Sequence, residues 1–375
     1  MTDWRMRILR LTEADAGLTE AWKQLSDDAV EPNPFHDPRF LLTSAEHRSD
    51  ATSINLAVVE GEHRLQALMA FTTRKGFARL PLHMRSTVGP FMLQLGDLRH
   101  PLVGAEDPVR AWRTLLVGLR RSRGPGLLEL ANLPGDGPLA ESLTEAIARL
   151  GMAVRERERD DRACAYAHRL SAKETQSLLS AEHSSAGTIK KRARHVRQLE
   201  AEVGPLTVTG LGADPSAIDR FLHLEAAGWK GDTSQAGRAL LPTGHDAWFR
   251  AVTAAFRADD RLVATALTAG ETLLYLGIGL RAGAGVFSTL DAYDERYAHY
   301  SAGAIGRIAE WKSAVTTPGV DYFDPNLSSV YRDSARLYPH SRPHVTLLIA
   351  TGGPVSRALL RGGPALRSLR QRLPR

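Results

Sequence analysis

The sequence predicts an α/β (α+β) protein of two units, each a mixed, mostly antiparallel sheet flanked by helices. Three observations predict it. Short β-prone runs joined by tight glycine turns occur in both halves, at 54–72 and at 262–291. Segments with helical apolar spacing lie between and after them. The 375 residues are 43% hydrophobic, enough to bury a sizeable core and to fill about two domains.

In chain order, Asn33-Pro34-Phe35-His36-Asp37-Pro38 opens a helix over 39–47, with Asp37 able to cap it and Pro38 fitting its first position. Strands at 54–59 and 65–72 flank the turn Glu60-Gly61-Glu62. Pro81, Pro90, Pro101 and Pro108 break the next stretch into short strands and loops. A helix at 109–121, a strand at 127–133, a helix at 138–150 and a strand at 162–170 complete this half. After Ser171 the composition turns polar and helical, so domains are expected at 1–170 and 171–350, followed by a basic tail at 351–375. In the polar region Ile189, Ala193, Val196 and Leu199 form a narrow apolar stripe. Lys190, Lys191, Arg192, Arg194 and Arg197 cover the remaining surface with no acid among them. A solvated helix face and a cationic wall beside a cleft both fit that pattern.

A helix at 216–224 runs into Glu225-Ala226-Ala227-Gly228-Trp229-Lys230-Gly231, where two glycines bracket a flat aromatic and a cation. Trp229 there is either a pocket wall or a core plug. After a helix at 245–257 come strands at 262–268, 272–280 and 285–291, an antiparallel meander that echoes the pair at 54–72 and suggests one fold used twice. Tyr300-Ser301-Ala302-Gly303 then leads into a helix at 302–315 with apolar Ile305, Ile308, Ala309 and Trp311. With Ser301 as N-cap, free N–H groups at this helix start would attract phosphate or carboxylate. The same four residues also suffice as a plain turn.

Several classes are excluded or disfavoured. Cys164 is the only cysteine, which rules out an internal disulfide and a thiolate metal cluster within one chain; it reads as a strand packing position. No metal is expected, since Pro339 and Pro343 deny His340 and His344 a helix that would align them. There is no Walker loop and no Gly-x-Ser-x-Gly elbow, and Gly277-Ile278-Gly279 lies inside a strand run. No apolar stretch of signal length opens the chain and no uncharged run approaches ~20 residues, so a cytoplasmic location is expected. A formal charge of +6 favours anionic partners. The segment from Gly352 on carries six arginines and no acid, and reads as a frayed terminus or an amphipathic surface segment.

On particular words, residues 171–350 resemble the GNAT-superfamily acyltransferase domain of cellulose-biosynthesis-associated acetyltransferases, relatives of the Fem-type aminoacyl transferases of peptidoglycan assembly. Leu224 to Gly231 is similar to that family's Glu-x-x-Gly-Trp-Lys-Gly signature. Ala292-Tyr293-Asp294-Glu295 with Tyr300-Ser301-Ala302-Gly303 is similar to its Tyr-Asp-Glu and Tyr-Ser-Pro-Gly pair, and the basic helix sits where the family has one. Before residue 171 only Asn33-Pro34-Phe35 matches. The usual acyl-CoA loop, Gln/Arg-x-x-Gly-x-Gly/Ala, keeps only its final glycine here, as in the Fem-type relatives.

The resemblance implies tandem GNAT-like domains, the first degenerate, and transfer of an acyl group from acyl-CoA to an amine of a small molecule or sugar. Such chemistry needs a base, oxyanion donors and an acid for the leaving group. Glu225 is the leading base candidate, with Asp291 and Asp294 as alternatives. Tyr331 is the candidate acid, by analogy with the tyrosine that protonates the departing thiolate in many GNAT enzymes. Tyr300, Ser301, Ala302 and Gly303 would hold the donor. Trp229, Lys230, Lys190, Lys191 and Arg192 would meet substrate. The rivals are aminoacyl transfer from a charged tRNA, which the basic helix would suit, and a non-catalytic binding module that kept the fold.

Overall fold

The computed structural model describes residues 4–77, 80–89, 95–96, 98–170, 186–235, 237–328 and 330–361. They fall into two compact units, Met1–Asp160 with Pro343–Arg375, and Asp161–Arg342. This differs from the expected division at 170 and 350, for a reason of strand pairing. From His344 onward, strand His340–Ala350 runs antiparallel to Leu127–Pro134, which draws the end of the chain into the first unit. The tail beyond residue 361 and the start of the polar region, 171–185, lie outside the described residues.

In the first unit the strands lie in the order Arg5–Arg10, Asn55–Glu60, Leu65–Phe77, Leu80–Ser86, Leu127–Pro134, His340–Ala350. All neighbours are antiparallel except Leu80–Ser86 with Leu127–Pro134. A parallel pair needs a crossover, and helix Pro108–Arg121 supplies it. Trp112, Leu115, Leu116 and Leu119 follow the helical period and bury against Val59, Met69 and Leu128.

The second unit orders its strands Leu206–Gly210, Leu262–Ala269, Thr272–Ala282, Gly285–Tyr293, Tyr322–Asp324, and then the end of Val154–Tyr166. The expected meander is present, and Gly270 and Gly283 make its turns at φ of 52° and 51°, where a side chain would be strained. The one parallel pair described in this unit joins Gly285–Tyr293 to Tyr322–Asp324, with helix Ala302–Val315 as the crossover. Ile308 and Trp311 pack on Val286 and Phe323, and Ile305 on Leu274 and Tyr275. Cys164 is fully buried, and burial pushes its thiol up to about 12, as a packing position requires. Among the described residues no helix is long and apolar enough to cross a membrane.

Candidate functional site

The site begins with a defect in a strand. Gly285–Tyr293 pairs in parallel with Tyr322–Asp324 only from Gly285 to Phe287. Its antiparallel register to Thr272–Ala282 then slips: Ser288 faces Gly279 and Leu290 faces Ile278, leaving Thr289 as an extra residue. Thr289 Oγ1 donates to the Ile278 carbonyl at 2.8 Å and pins this bulge. Beyond it the strand continues to Tyr293 with no described parallel neighbour, and Asp291 lies on this stretch.

Asp291 ties three elements together. Arg307, from helix Ala302–Val315, donates to it from Nε and, at 3.2 Å, from NH2. Lys230, from the turn Trp229–Gly231, donates to its backbone oxygen at 2.6 Å and lies 3.5 Å from its carboxylate. Burial alone would raise its pKa, but Arg307 and Lys230 outweigh burial and hold it below the usual aspartate value. A doubly paired carboxylate whose proton affinity is lowered is a strut and a poor proton acceptor. Lys230 therefore serves Asp291, where the sequence assigned it to substrate.

Beneath this strut Glu310 is buried between Tyr275, whose hydroxyl donates to it, and Ser288 Oγ at 3.0 Å. Burial raises its pKa to about 7, against the two hydroxyl hydrogen bonds. Two glycines clear the space. A Cβ at Gly277 would meet the Glu310 carboxyl at 2.6 Å, and one at Gly306 would meet the Tyr275 ring at 2.1 Å.

Glu225 occupies the last turn of helix Ala217–Ala227 and is 3% exposed. One carboxylate oxygen accepts the Leu240 N–H at 3.0 Å; the other makes no hydrogen bond to a described residue. Burial raises its pKa, opposed by Leu240 and Lys230. The turn that follows needs its glycines, because a Cβ at Gly231 would meet the Ala226 carbonyl oxygen at 1.9 Å. Glu295 accepts the Trp229 N–H at 2.7 Å and fixes the turn, while the Trp229 side chain is 56% exposed. Trp229 is thus no core plug.

The helix start at Ala302 departs from its expected capping. Ser301 sits at φ 62°, ψ 35°, outside the extended geometry from which a serine hydroxyl reaches the first turn, and its Oγ instead lies 3.2 Å from His195 Nδ1. Ile305 N–H closes the first turn on the Ser301 carbonyl at 3.0 Å. The N–H groups of Ala302, Gly303 and Ala304 make no hydrogen bond with a described residue. Tyr300 instead directs its hydroxyl to Glu202. A Cβ at Gly303 would meet the Tyr293 ring at 2.9 Å, so only glycine leaves this approach open without displacing Tyr293.

On the basic helix Ala186–Glu202, Lys190, Lys191, Arg194 and Arg197 are exposed. Arg192 is not: it is buried with His195 and Leu199, which extends the expected stripe, whose Ile189, Ala193 and Val196 are half-buried. Tyr331 is 61% exposed at the head of helix Arg332–Ala335, whose Ser334 accepts Arg307 NH1 at 3.0 Å. The structure gathers Lys230, Asp291, Arg307, Glu310 and Glu225; among the described residues, Tyr331 is tied to that group through its short helix. Arg307, Glu310 and Tyr275 escape sequence reasoning, although the glycine pair at 277 and 306 marks the space around Glu310; Glu295 is marked there only as part of the Tyr-Asp-Glu motif.

Residues 186–328 match the family model of the acetyltransferase (GNAT) domain. By fold, the chain is similar to a conserved protein of unknown function from Bacteroides thetaiotaomicron, with 12% identity, a TM-score of 0.56, and coverage of 93% of this chain and 100% of that one. It is similar also to FemX, with 8% identity, a TM-score of 0.55, and coverage of 88% and 95%. At such identities the likeness concerns the fold alone. No curated protein matches the chain by sequence.

Proposed function

We propose that the chain is an N-acyltransferase that moves an acyl group, acetyl in the simplest case, from acyl-CoA to an amine of a small molecule or sugar in the cytoplasm. The observation that carries the reading is the helix start with free Ala302, Gly303 and Ala304 N–H groups inside the GNAT domain. Such a terminus suits a pyrophosphate. When bound, acyl-CoA supplies the thioester carbonyl that the amine attacks. Glu225 takes the amine proton on its unbonded oxygen, directly or through water, and its raised pKa suits a base working near neutrality. Asp291 keeps Lys230 and Arg307 in place, and so holds the Glu225 turn against the donor helix. Trp229 walls the acceptor side, and Tyr331 is the candidate proton donor to the departing thiolate. The first unit is read as a degenerate copy without donor chemistry.

A second reading, transfer from a charged tRNA, is favoured by the exposed Lys190, Lys191, Arg194 and Arg197 and by the fold shared with FemX. Donor titrations across a salt series separate the two. An acyl-CoA donor should raise the melting temperature with modest salt dependence, since ligand at a hundred times its Kd adds about 2.7 kcal/mol. Replacing Lys190, Lys191 and Arg194 by alanine should then leave its Kd within about three-fold. Steeply salt-dependent tRNA binding, flattened by up to about three units in that variant, together with no acyl-CoA affinity, would replace the first reading with the second. Binding of neither donor would leave the non-catalytic module.

A further inference from the structure

We propose that the groove between strand Arg5–Arg10 and helix Pro108–Arg121 of the first unit binds an extended acidic peptide of another protein, added as a strand to the sheet edge. The groove measures about 1160 Å³. All six residues of Arg5–Arg10 pair with Asn55–Glu60, and among the described residues no strand lies on the other side. Glu13 takes the Arg10 N–H at 2.9 Å, and the edge from Arg5 to Leu9 offers backbone donors and acceptors. The helix lends the groove one flank, with Arg110, Arg113, Val117 and Arg121 at three- to four-residue steps, while Trp112, Leu115 and Leu119 face the core. From Arg110 to Arg121 this flank runs about 16 Å, the length of about five strand residues.

The chemistry of the lining selects the ligand. Arg5, Arg110, Arg113, Arg121 and Arg149 border the groove. Glu145 pairs with Arg149 at the border of the groove, while Asp107 accepts the Arg110 N–H at the helix start and Glu60 pairs with Arg7. Arg113 and Arg121 are exposed and make no ion pair with a described residue. The floor is apolar, with Met6, the 37%-exposed Ile8, and Trp4 held 4.1 Å beneath the Arg110 guanidinium. A strand with carboxylates on one face and apolar side chains on the other fits both surfaces. A second copy does not, since it would set Arg5, Arg7 and Arg10 against themselves. The chain's own residues 362–375 hold four arginines and no acid, and would also be repelled. A nucleic acid satisfies the arginines but cannot pair with a sheet edge, so the free edge favours a polypeptide.

The test uses the full chain and three fluorescein-labelled probes: a ten-residue Glu-Val repeat, a Lys-Val repeat, and a single-stranded oligonucleotide. The Glu-Val repeat should bind, lose affinity with salt, and slow amide exchange along Arg5–Arg10, while the Lys-Val repeat should not bind. Arg113→Glu with Arg121→Glu should weaken Glu-Val binding about tenfold or more, because two charge pairs are reversed as well as lost. If that variant does not fold, Arg113→Gln with Arg121→Gln should weaken binding in the same direction. Failure of the Glu-Val repeat to bind, or binding without protection of Arg5–Arg10, overturns the proposal. Equally tight oligonucleotide binding that is lost in the same variants would make the groove a general polyanion site and overturn it too.

Discussion

Helix Pro108–Arg121 and helix Ala302–Val315 hold the same place in their units, each crossing over between two parallel strands. Their N-termini are chemically opposite. At the first, Pro108 has no N–H to offer, and the Asp107 carboxylate accepts the Arg110 N–H at 3.0 Å, so the positive end of the helix already holds an anion of the protein's own. At the second, Ser301 is turned into the left-handed region toward His195, and three N–H groups are left open. The acids beside the parallel strands differ as well. In the first unit Glu129 accepts Ser86 Oγ at 2.5 Å and pairs with Arg74 and Arg157. In the second, the corresponding cluster of Asp291, Arg307 and Lys230 links helix, strand and the turn that carries Glu225. One architecture occurs twice, and the donor site of the proposed function belongs to the second copy.

The second helix carries the largest expected effect. Gly303→Val places a side chain against the Tyr293 ring and should abolish acetyl-CoA binding measured by calorimetry, with the folded state checked by its melting curve. Unchanged affinity would move the donor elsewhere. Glu225→Gln should keep donor affinity and lower kcat by roughly 10²-fold. The parent's kcat/KM should fall as acid protonates Glu225, whose pKa lies above the ordinary glutamate value, and the variant's residual rate should lose that dependence. A variant as fast as the parent across the series would make Glu225 structural.

Glu310 predicts a stability effect. Its folded-state value of about 7 lies above the ordinary 4.5, so the folded chain holds a proton that the unfolded chain releases. The stabilisation is complete below about pH 4.5 and is lost as pH rises through about 7, a change of up to about 3 kcal/mol. Denaturant melts of Glu310→Gln should lack this slope, since the amide resembles the protonated acid; an identical slope would place the titration in another group. The smallest effect belongs to the first helix. Asp107→Ala removes a cap and should cost about 1 kcal/mol of stability without changing donor affinity. A new or tighter donor site in that variant would show that the first unit was merely blocked.

Much of the second unit is legible in the sequence because its elements announce themselves locally. The meander has glycines at both turns, and the Glu225 turn has a glycine where a Cβ would strike backbone. Other features depend on distant pairing. Asp291 looks like a free acid until folding brings Lys230 from 61 residues before it and Arg307 from 16 residues after it. Arg192 counts as a surface cation until the helix is seen to bury it and His195 alongside the expected Leu199. Arg5–Arg10 carries three arginines in six residues and gives no β signal, and only pairing with Asn55–Glu60 makes it a strand. The return of the chain to the first unit at Pro343 is likewise a matter of pairing, invisible in composition.

On the proposed function, the open N–H groups at the head of helix Ala302–Val315 hold the pyrophosphate of an acyl donor. Amide NMR of the Ala302, Gly303 and Ala304 resonances tests it directly, with coenzyme A titrated beside pantetheine, which lacks the pyrophosphate. Coenzyme A should shift all three signals at saturation while pantetheine leaves them near their free positions. Equal shifts with both ligands, or coenzyme A binding that moves the amides around Arg110 and leaves these three unmoved, would contradict it.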